Sequence, residues 1–265
     1  MTFFAIYDQE LKMDIGVLFY FEKEHSFVIE LVEDLDEWTA PLLLTAFVKK
    51  GEYSISRDVS FMWVKERIIP GNRQNIGQIL TNHNLEAYDE MTFLKLSQGR
   101  CCQDALEIRP METLPDYVEK RMEHNLTECV ACRDNALLCF FADDTIRKIK
   151  ADEIAGFANG QKLLNNRLLF ESCRIVAGGR CITFDDAIDL SAELLYRSGT
   201  AIPLKPSDFT DFVLCNVMDT TDCCEALSCS RQNLSYLVKH NHLHSLKQDV
   251  RGNLFLKGGI AKLTW

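Results

Sequence analysis

The chain has 265 residues, 47% of them apolar, and carries 39 Asp and Glu against 29 Lys and Arg for a formal net charge of −10. That length and apolar content suffice for two or three packed cores, and the acidic balance argues against general affinity for nucleic acid. No run reaches the ~18 uninterrupted apolar residues of a membrane span, and the opening ten residues lack the basic and cleavable apolar regions of a signal peptide. Eleven cysteines, odd in number and scattered, read as reduced thiols, so a cytoplasmic chain is expected.

In chain order, residues 16–21 and 26–32 read as paired strands around the charged turn Glu22-Lys-Glu-His25. Residues 36–41 look like a helix start that 42–49 continue, and 60–69 read as strand or helix up to the break at Pro70-Gly71. Apolar residues at i, i+3 and i+4 predict helices over 73–80 and 85–96. With Arg67, Arg73, Gln74 and Asn75 leading, that pair could be a nucleic-acid reader, but the negative charge around it favours a packed helical pair. Residues 104–108 read as a strand, and 110–127, charged and with prolines at 110 and 115, as a linker or exposed helix.

The middle of the chain reads as a small sheet of two hairpins. Strands are predicted at 136–141 and 145–150 around Ala142-Asp-Asp144, then at 170–176 and 181–184 around Ala177-Gly-Gly-Arg180. A helix follows over 189–196, with Asp189 or Ser191 near its cap and Glu193 in its first turn. The segments Phe140-Phe-Ala-Asp-Asp-Thr-Ile-Arg147, Leu164 with Phe170, and Ile188-Asp-Leu-Ser-Ala-Glu-Leu-Leu-Tyr196 resemble an uncharacterised small bacterial α+β domain family. The likeness spans about 65 residues, although that family often has Trp where this chain has Phe184. Its members sit beside helix-turn-helix domains, so the resemblance implies a regulator and transfers no active residue.

Three clusters invite a metal reading. Cys129-Val-Ala-Cys132 has the spacing of half a zinc site, yet a second matching half is missing, because Cys101-Cys102 and Cys223-Cys224 are adjacent pairs. His240, His242 and His244 would share a face if they lay on a strand, but polar surface is the plainer reading. Asp185, Asp186 and Asp189 read as a solvated turn and a cap. No metal or cofactor is expected, and without a P-loop, a G-x-S-x-G elbow or an H-E-x-x-H helix no enzyme activity is expected either.

The most informative run is Thr221-Asp-Cys-Cys-Glu-Ala-Leu-Ser-Cys-Ser-Arg-Gln-Asn-Leu-Ser-Tyr-Leu-Val-Lys-His240. It predicts one helix closing at Glu225-Ala226-Leu227, a turn at 228–230, and a second helix capped by Ser230. Leu234, Leu237 and Val238 form its apolar stripe and leave Arg231, Gln232, Asn233, Tyr236 and Lys239 facing outwards. Strands at 243–247 and 254–257 flank the turn-rich Gln248-Asp-Val-Arg-Gly-Asn253, which puts Lys247 and Arg251 near a hairpin tip. Charge shifts with this segment: residues 1–130 hold 13 Lys and Arg against 23 Asp and Glu, whereas residues 219–265 hold 6 against 4.

Glu225-Ala226-Leu227-Ser228-Cys229-Ser230-Arg231-Gln232-Asn233-Leu234, with Leu237 beyond, resembles the winged helix-turn-helix of excisionase-like bacterial regulators. The match covers about a sixth of the chain and departs in having Ser228 where a turn glycine is common, so that turn is expected to be slightly different or strained. The resemblance implies double-stranded DNA as partner and a homodimer binding two half-sites. It also gives Ser230 a phosphate at the helix N-terminus, Arg231, Gln232, Asn233 and Tyr236 the bases, and Lys239, Lys247 and Arg251 the backbone.

The expected fold class is therefore multidomain α+β. It comprises an acidic α+β domain over 1–127, a small α+β domain over 128–205, and a winged helix-turn-helix over 206–265. The expected function is a non-enzymatic bacterial or phage DNA-binding regulator. The alternative is a protein-interaction module, such as an acidic inhibitor, that meets a protein partner through its N-terminal region and uses the C-terminal helices for docking.

Overall fold

Runs of apolar residues build the first sheet. Strands β1 (Thr2–Asp8), β2 (Met13–Phe21), β3 (Ser26–Leu31), β4 (Ser54–Ile55) and β5 (Leu106–Pro110) form an antiparallel sheet in the order β4-β3-β2-β1-β5. One face supplies Phe4, Ile6, Leu18, Tyr20, Phe27, Ile29 and Leu31 to a core closed by Trp63, Val64, Met91 and Leu94 from helices. The expected β2–β3 pair and its charged turn are present, with His25 at φ 47° closing the turn. β1 lies outside the predicted strands because Phe3-Phe-Ala-Ile-Tyr7 is apolar throughout and has no period to read.

The ambiguous 60–69 stretch is helical over Arg57–Lys65, where the Ser56 hydroxyl accepts the Val59 N–H at 3.4 Å. In place of a helix start at 36–41, the Asp36 carboxylate accepts the Trp38 and Thr39 N–H groups at 2.9 Å, a side-chain turn that competes with helix. Only a 3-10 turn, Leu42–Leu44, and the short helix Thr45–Val48 follow. The expected packed pair of helices does not form. The helix Ile76–Asn82 buries none of its residues, while Glu90–Ser97 buries Met91, Phe93 and Leu94 and lies against Arg57–Lys65.

This computed structural model describes residues 1–203, 206–250 and 252–263. The chain is mixed α+β and divides into two compact units, Met1–Val118 and Glu119–Trp265, so the helix Asp116–Met122 runs through the boundary. In the second unit β6 (Leu126–Ala131), β7 (Leu137–Phe141), β8 (Ile146–Ile149) and β12 (Thr200–Ala201) make a sheet in the order β12-β8-β7-β6. A second antiparallel sheet, β11-β10-β9, uses β9 (Cys173–Val176), β10 (Cys181–Phe184) and β11 (Ile188–Ser191).

The single sheet of two hairpins is thus corrected to two sheets, each hairpin having found further strands. β6 arises partly from the stretch read as linker, and β11 from the first residues of the predicted 189–196 helix. Residues 170–171 close a helix, Arg167–Glu171, and do not start a strand. Ser191 caps the helix Ala192–Ser198 by accepting the Leu194 N–H at 3.2 Å. Both sheets pack into one core of Leu126, Leu137, Phe141 and Ile149 against Ile182, Phe184, Leu190 and Leu195.

The link between β9 and β10 needs backbone that only glycine takes up cheaply. Gly178 and Gly179 have φ of 67° and 86°, and a Cβ on Gly179 would lie 2.5 Å from the Leu126 carbonyl oxygen on β6. Gly179→Ala therefore adds a left-handed penalty to a clash between the sheets. It is expected to cost about 3 kcal/mol of stability, read from the shift of a urea unfolding curve.

Candidate nucleic-acid interface

The C-terminal segment comprises the helix Pro206–Asn216, β13 (Val217–Met218), the helix Thr220–Ala226, the helix Arg231–Lys239, a hairpin of β14 (Lys247–Val250) and β15 (Gly252–Leu256), and the helix Lys257–Lys262. β15 pairs with both neighbours, in the order β13-β15-β14, which ties the hairpin back to the start of the two-helix unit. Leu234 and Phe255 are buried with Cys223, Leu243 and Ile260, and Leu237 and Val238 pack on them as the apolar stripe requires.

Local chemistry explains the two helices. The Asp219 carboxylate accepts the Thr221 and Asp222 N–H groups at 2.7 and 2.9 Å, and Asp222 returns a bond to the Asp219 N–H at 3.2 Å. This reciprocal cap starts the first helix. Ser228 then turns the chain at φ 49°, the left-handed conformation for which glycine is the usual residue. The Ser230 hydroxyl accepts the Asn233 N–H at 3.2 Å and starts the second helix.

Ser230, Arg231, Gln232, Asn233, Tyr236 and Lys239 are all exposed and occupy one end and the outer side of that helix. Arg231 reaches the Thr221 hydroxyl at 3.4 Å, and the Tyr236 ring lies 4.1 Å from the His240 ring. Lys247 does not stand near the hairpin tip: it pairs with Leu254 at the open end of the ladder, because residues 248–250 continue the strand expected to be loop. Residues 243–246 are not strand, and the Leu243 N–H folds back to the Leu237 carbonyl at 3.2 Å. Arg251 lies outside the described residues.

The other sequence clusters serve local structure. Arg67 is buried, its guanidinium 3.7 Å above the Trp63 ring and paired with Asp104, so it is not available to a nucleic acid. Cys129 and Cys132 are three apart on and beyond a strand, and so face opposite ways into separate cores. His124 meets Glu193 at 2.9 Å and stacks on Tyr196 at 3.7 Å. Asp185 and Asp186, at φ 54° and 52°, lie in the three-residue β10–β11 turn, with Asp186 paired to Arg174. Among the described residues no group of three His, Cys, Asp or Glu side chains is arranged to hold a metal ion.

Two features escaped the sequence reading. Glu128 on β6 is buried, and both of its oxygens lie 3.0 Å from the amide nitrogen of Gly258, in the last helix Lys257–Lys262. Burial pushes its carboxyl up to about 7, against the opposing pull of that N–H and of Lys262 and Lys257. Beside it a cleft of about 660 Å³ is lined by Cys129, Arg167, Cys173, Asp211, Met218 and Lys257 among others. Neither has a motif, because each depends on residues more than thirty positions apart meeting in space.

Comparison of the chain with protein-family models, curated proteins and solved structures finds no match. No helix among the described residues is long and apolar enough to cross a membrane.

Two expectations follow. Ser228→Gly removes a left-handed side chain at an exposed turn and should stabilise the chain by about 1 kcal/mol, seen as a raised melting temperature. Because the folded chain holds the Glu128 proton more tightly than the unfolded chain, this group's contribution is fully present below about pH 4.5 and is lost as pH rises through about 7. The loss is bounded at about 3 kcal/mol. Glu128→Gln should flatten that part of the stability-against-pH curve, measured by urea unfolding between pH 4.5 and 8.

Proposed function

We propose that the chain is a sequence-specific DNA-binding regulator whose C-terminal segment is a winged helix-turn-helix. One observation carries the reading: a single capped helix presents Arg231, Gln232, Asn233, Tyr236 and Lys239 together to solvent, next to a hairpin anchored by β13. Arg, Gln and Asn are the side chains that pair bidentately with base edges in the major groove, and a helix of this size fits that groove. Ser230 spends one lone pair on its cap but keeps its hydroxyl proton, and the N–H groups of the first turn favour a phosphate. Lys239 adds a backbone contact, and a dimer supplies a second half-site.

A second reading has its own observation. Trp38 and Leu42 are 85% and 93% exposed in a stretch that also holds Glu33, Asp34, Asp36 and Glu37, which suits docking to a protein surface.

Repeated selection from random double-stranded DNA at two salt concentrations separates the two. An enriched palindrome or direct repeat, bound less tightly as salt rises, supports the regulator. On the enriched site, Arg231→Ala or Gln232→Ala should cost about 1–3 kcal/mol and relax one position, whereas Lys239→Ala should weaken all sequences alike. No enrichment at either salt, or intact site-specific binding by all three variants, would sink the assignment.

A further inference from the structure

Three thiols converge where the two sheets of the second unit meet. Cys129 and Cys139 are directly opposed in the β6–β7 ladder, with their Sγ atoms 3.6 Å apart. Cys173 opens β9, the edge of the other sheet, and its Sγ lies 3.5 Å from that of Cys129. Cys139 is fully buried, whereas Cys129 and Cys173 are partly exposed and line the cleft beside Lys257. A trigonal metal centre does not fit, since the trio is strung through Cys129 and no metal-holding group is present among the described residues.

We propose that Cys129 and Cys173 form a dithiol modification site that a hydroperoxide oxidises to a disulfide joining β6 to β9. A thiolate of the pair attacks one oxygen of hydrogen peroxide. The O–O bond breaks, an S–O bond forms as sulfenic acid, and the departing hydroxide takes up the thiol proton to leave as water. The second sulfur then attacks the sulfenic sulfur: the S–S bond forms, the S–O bond breaks, and the hydroxide leaves as water with the second thiol proton. Two thiols lose two electrons and the peroxide becomes two waters.

The geometry requires the sulfurs to close from 3.5 Å to about 2 Å, a shift within reach of two strand edges that already touch. Cys139 opposes Cys129 just as closely but has no exposure to a peroxide, so the accessible pair is Cys129 with Cys173. Contact with Cys139 and burial hold the Cys129 thiol well above its ordinary range, and contact with Cys129 and burial do the same to Cys173. Thiolate is therefore scarce near neutral pH, and the rate should climb about tenfold per pH unit. The proposal does not depend on what the C-terminal helices bind.

The test is peptide mapping of the full chain after hydrogen peroxide at pH 7 and pH 8, with free thiols blocked and trypsin digestion run without reduction. Residues 122–133 should appear joined to residues 168–174, with fragmentation placing the link on Cys129. The link should form about ten times faster at the higher pH and vanish with dithiothreitol. Cys139→Ser should keep it and Cys173→Ser should abolish it. Residues 122–133 joined instead to 134–147, which contain Cys139, would overturn the pairing. Recovery of Cys129 and Cys173 in the wild-type chain as free thiols or sulfinic acids would overturn the site.

Discussion

The hydrogen bond from the Gly258 amide to the buried Glu128 carboxylate holds the C-terminal segment against the first sheet of its unit. A buried carboxyl is costly without a partner, and the Gly258 N–H offsets part of that cost, although burial still outweighs it and keeps the carboxyl protonated up to about pH 7. Gly258 is the only residue type that fits, because a Cβ there would lie 2.0 Å from the Thr127 carbonyl oxygen. Lys148 makes a second tie, reaching Asp208 on the helix Pro206–Asn216 at 2.9 Å. With the last helix fixed on β6 and that helix fixed on β8, the cleft between them has defined walls, and β13 and β15 are brought into register.

Several tight turns decide the direction of the chain at these junctions, and they use polar residues in left-handed conformations. Asp185 and Asp186 let β10 reverse into β11, Ser228 sets the angle between the two C-terminal helices, and Asn241 at φ 59° releases the second of them. Short polar side chains tolerate this region better than bulky ones, since they hydrogen-bond to nearby backbone. The three acids at 185, 186 and 189 are thus accounted for by turn geometry, an ion pair with Arg174 and strand β11, with no ligand required.

Where local chemistry decides an element, the sequence was legible. The Ser230 cap, the β2–β3 turn and the apolar stripe of Leu234, Leu237 and Val238 all rest on residues within one turn of each other, whereas the sequence allows either Asp189 or Ser191 as cap of the helix Ala192–Ser198. Where pairing partners decide, it was not. Leu126–Ala131 became a central part of the second unit only because β7 and β9 border it, and nothing in its own alternation separates it from an exposed linker. Asp189–Ser191 reads as the start of a helix, yet β10 captures it into β11 through the turn at Asp185 and Asp186. The outward residues of the candidate interface were readable from helical period alone. The Glu128–Gly258 bond and the Cys129–Cys173 contact were not, since both join distant stretches.

The charge distribution constrains how such a helix could act on DNA. A chain at −10 approaching a polyanion is repelled at long range, but beyond about 8–10 Å that repulsion is screened at physiological salt. Within that distance Arg231 and Lys239 of the second helix act beside the exposed carboxylates Asp219, Asp222 and Glu225 at the first, so the two-helix unit itself offers little net positive charge. If the chain binds DNA as proposed, two such cations would release few counterions, so loose sliding on arbitrary sequence would be disfavoured and base-edge contacts would have to supply most of the binding energy. An acidic body would then raise discrimination at the expense of affinity. On the proposed reading, a second copy of the chain would be the simplest way to recover affinity, because paired half-sites double the base contacts, although they also double the acidic charge brought to the DNA.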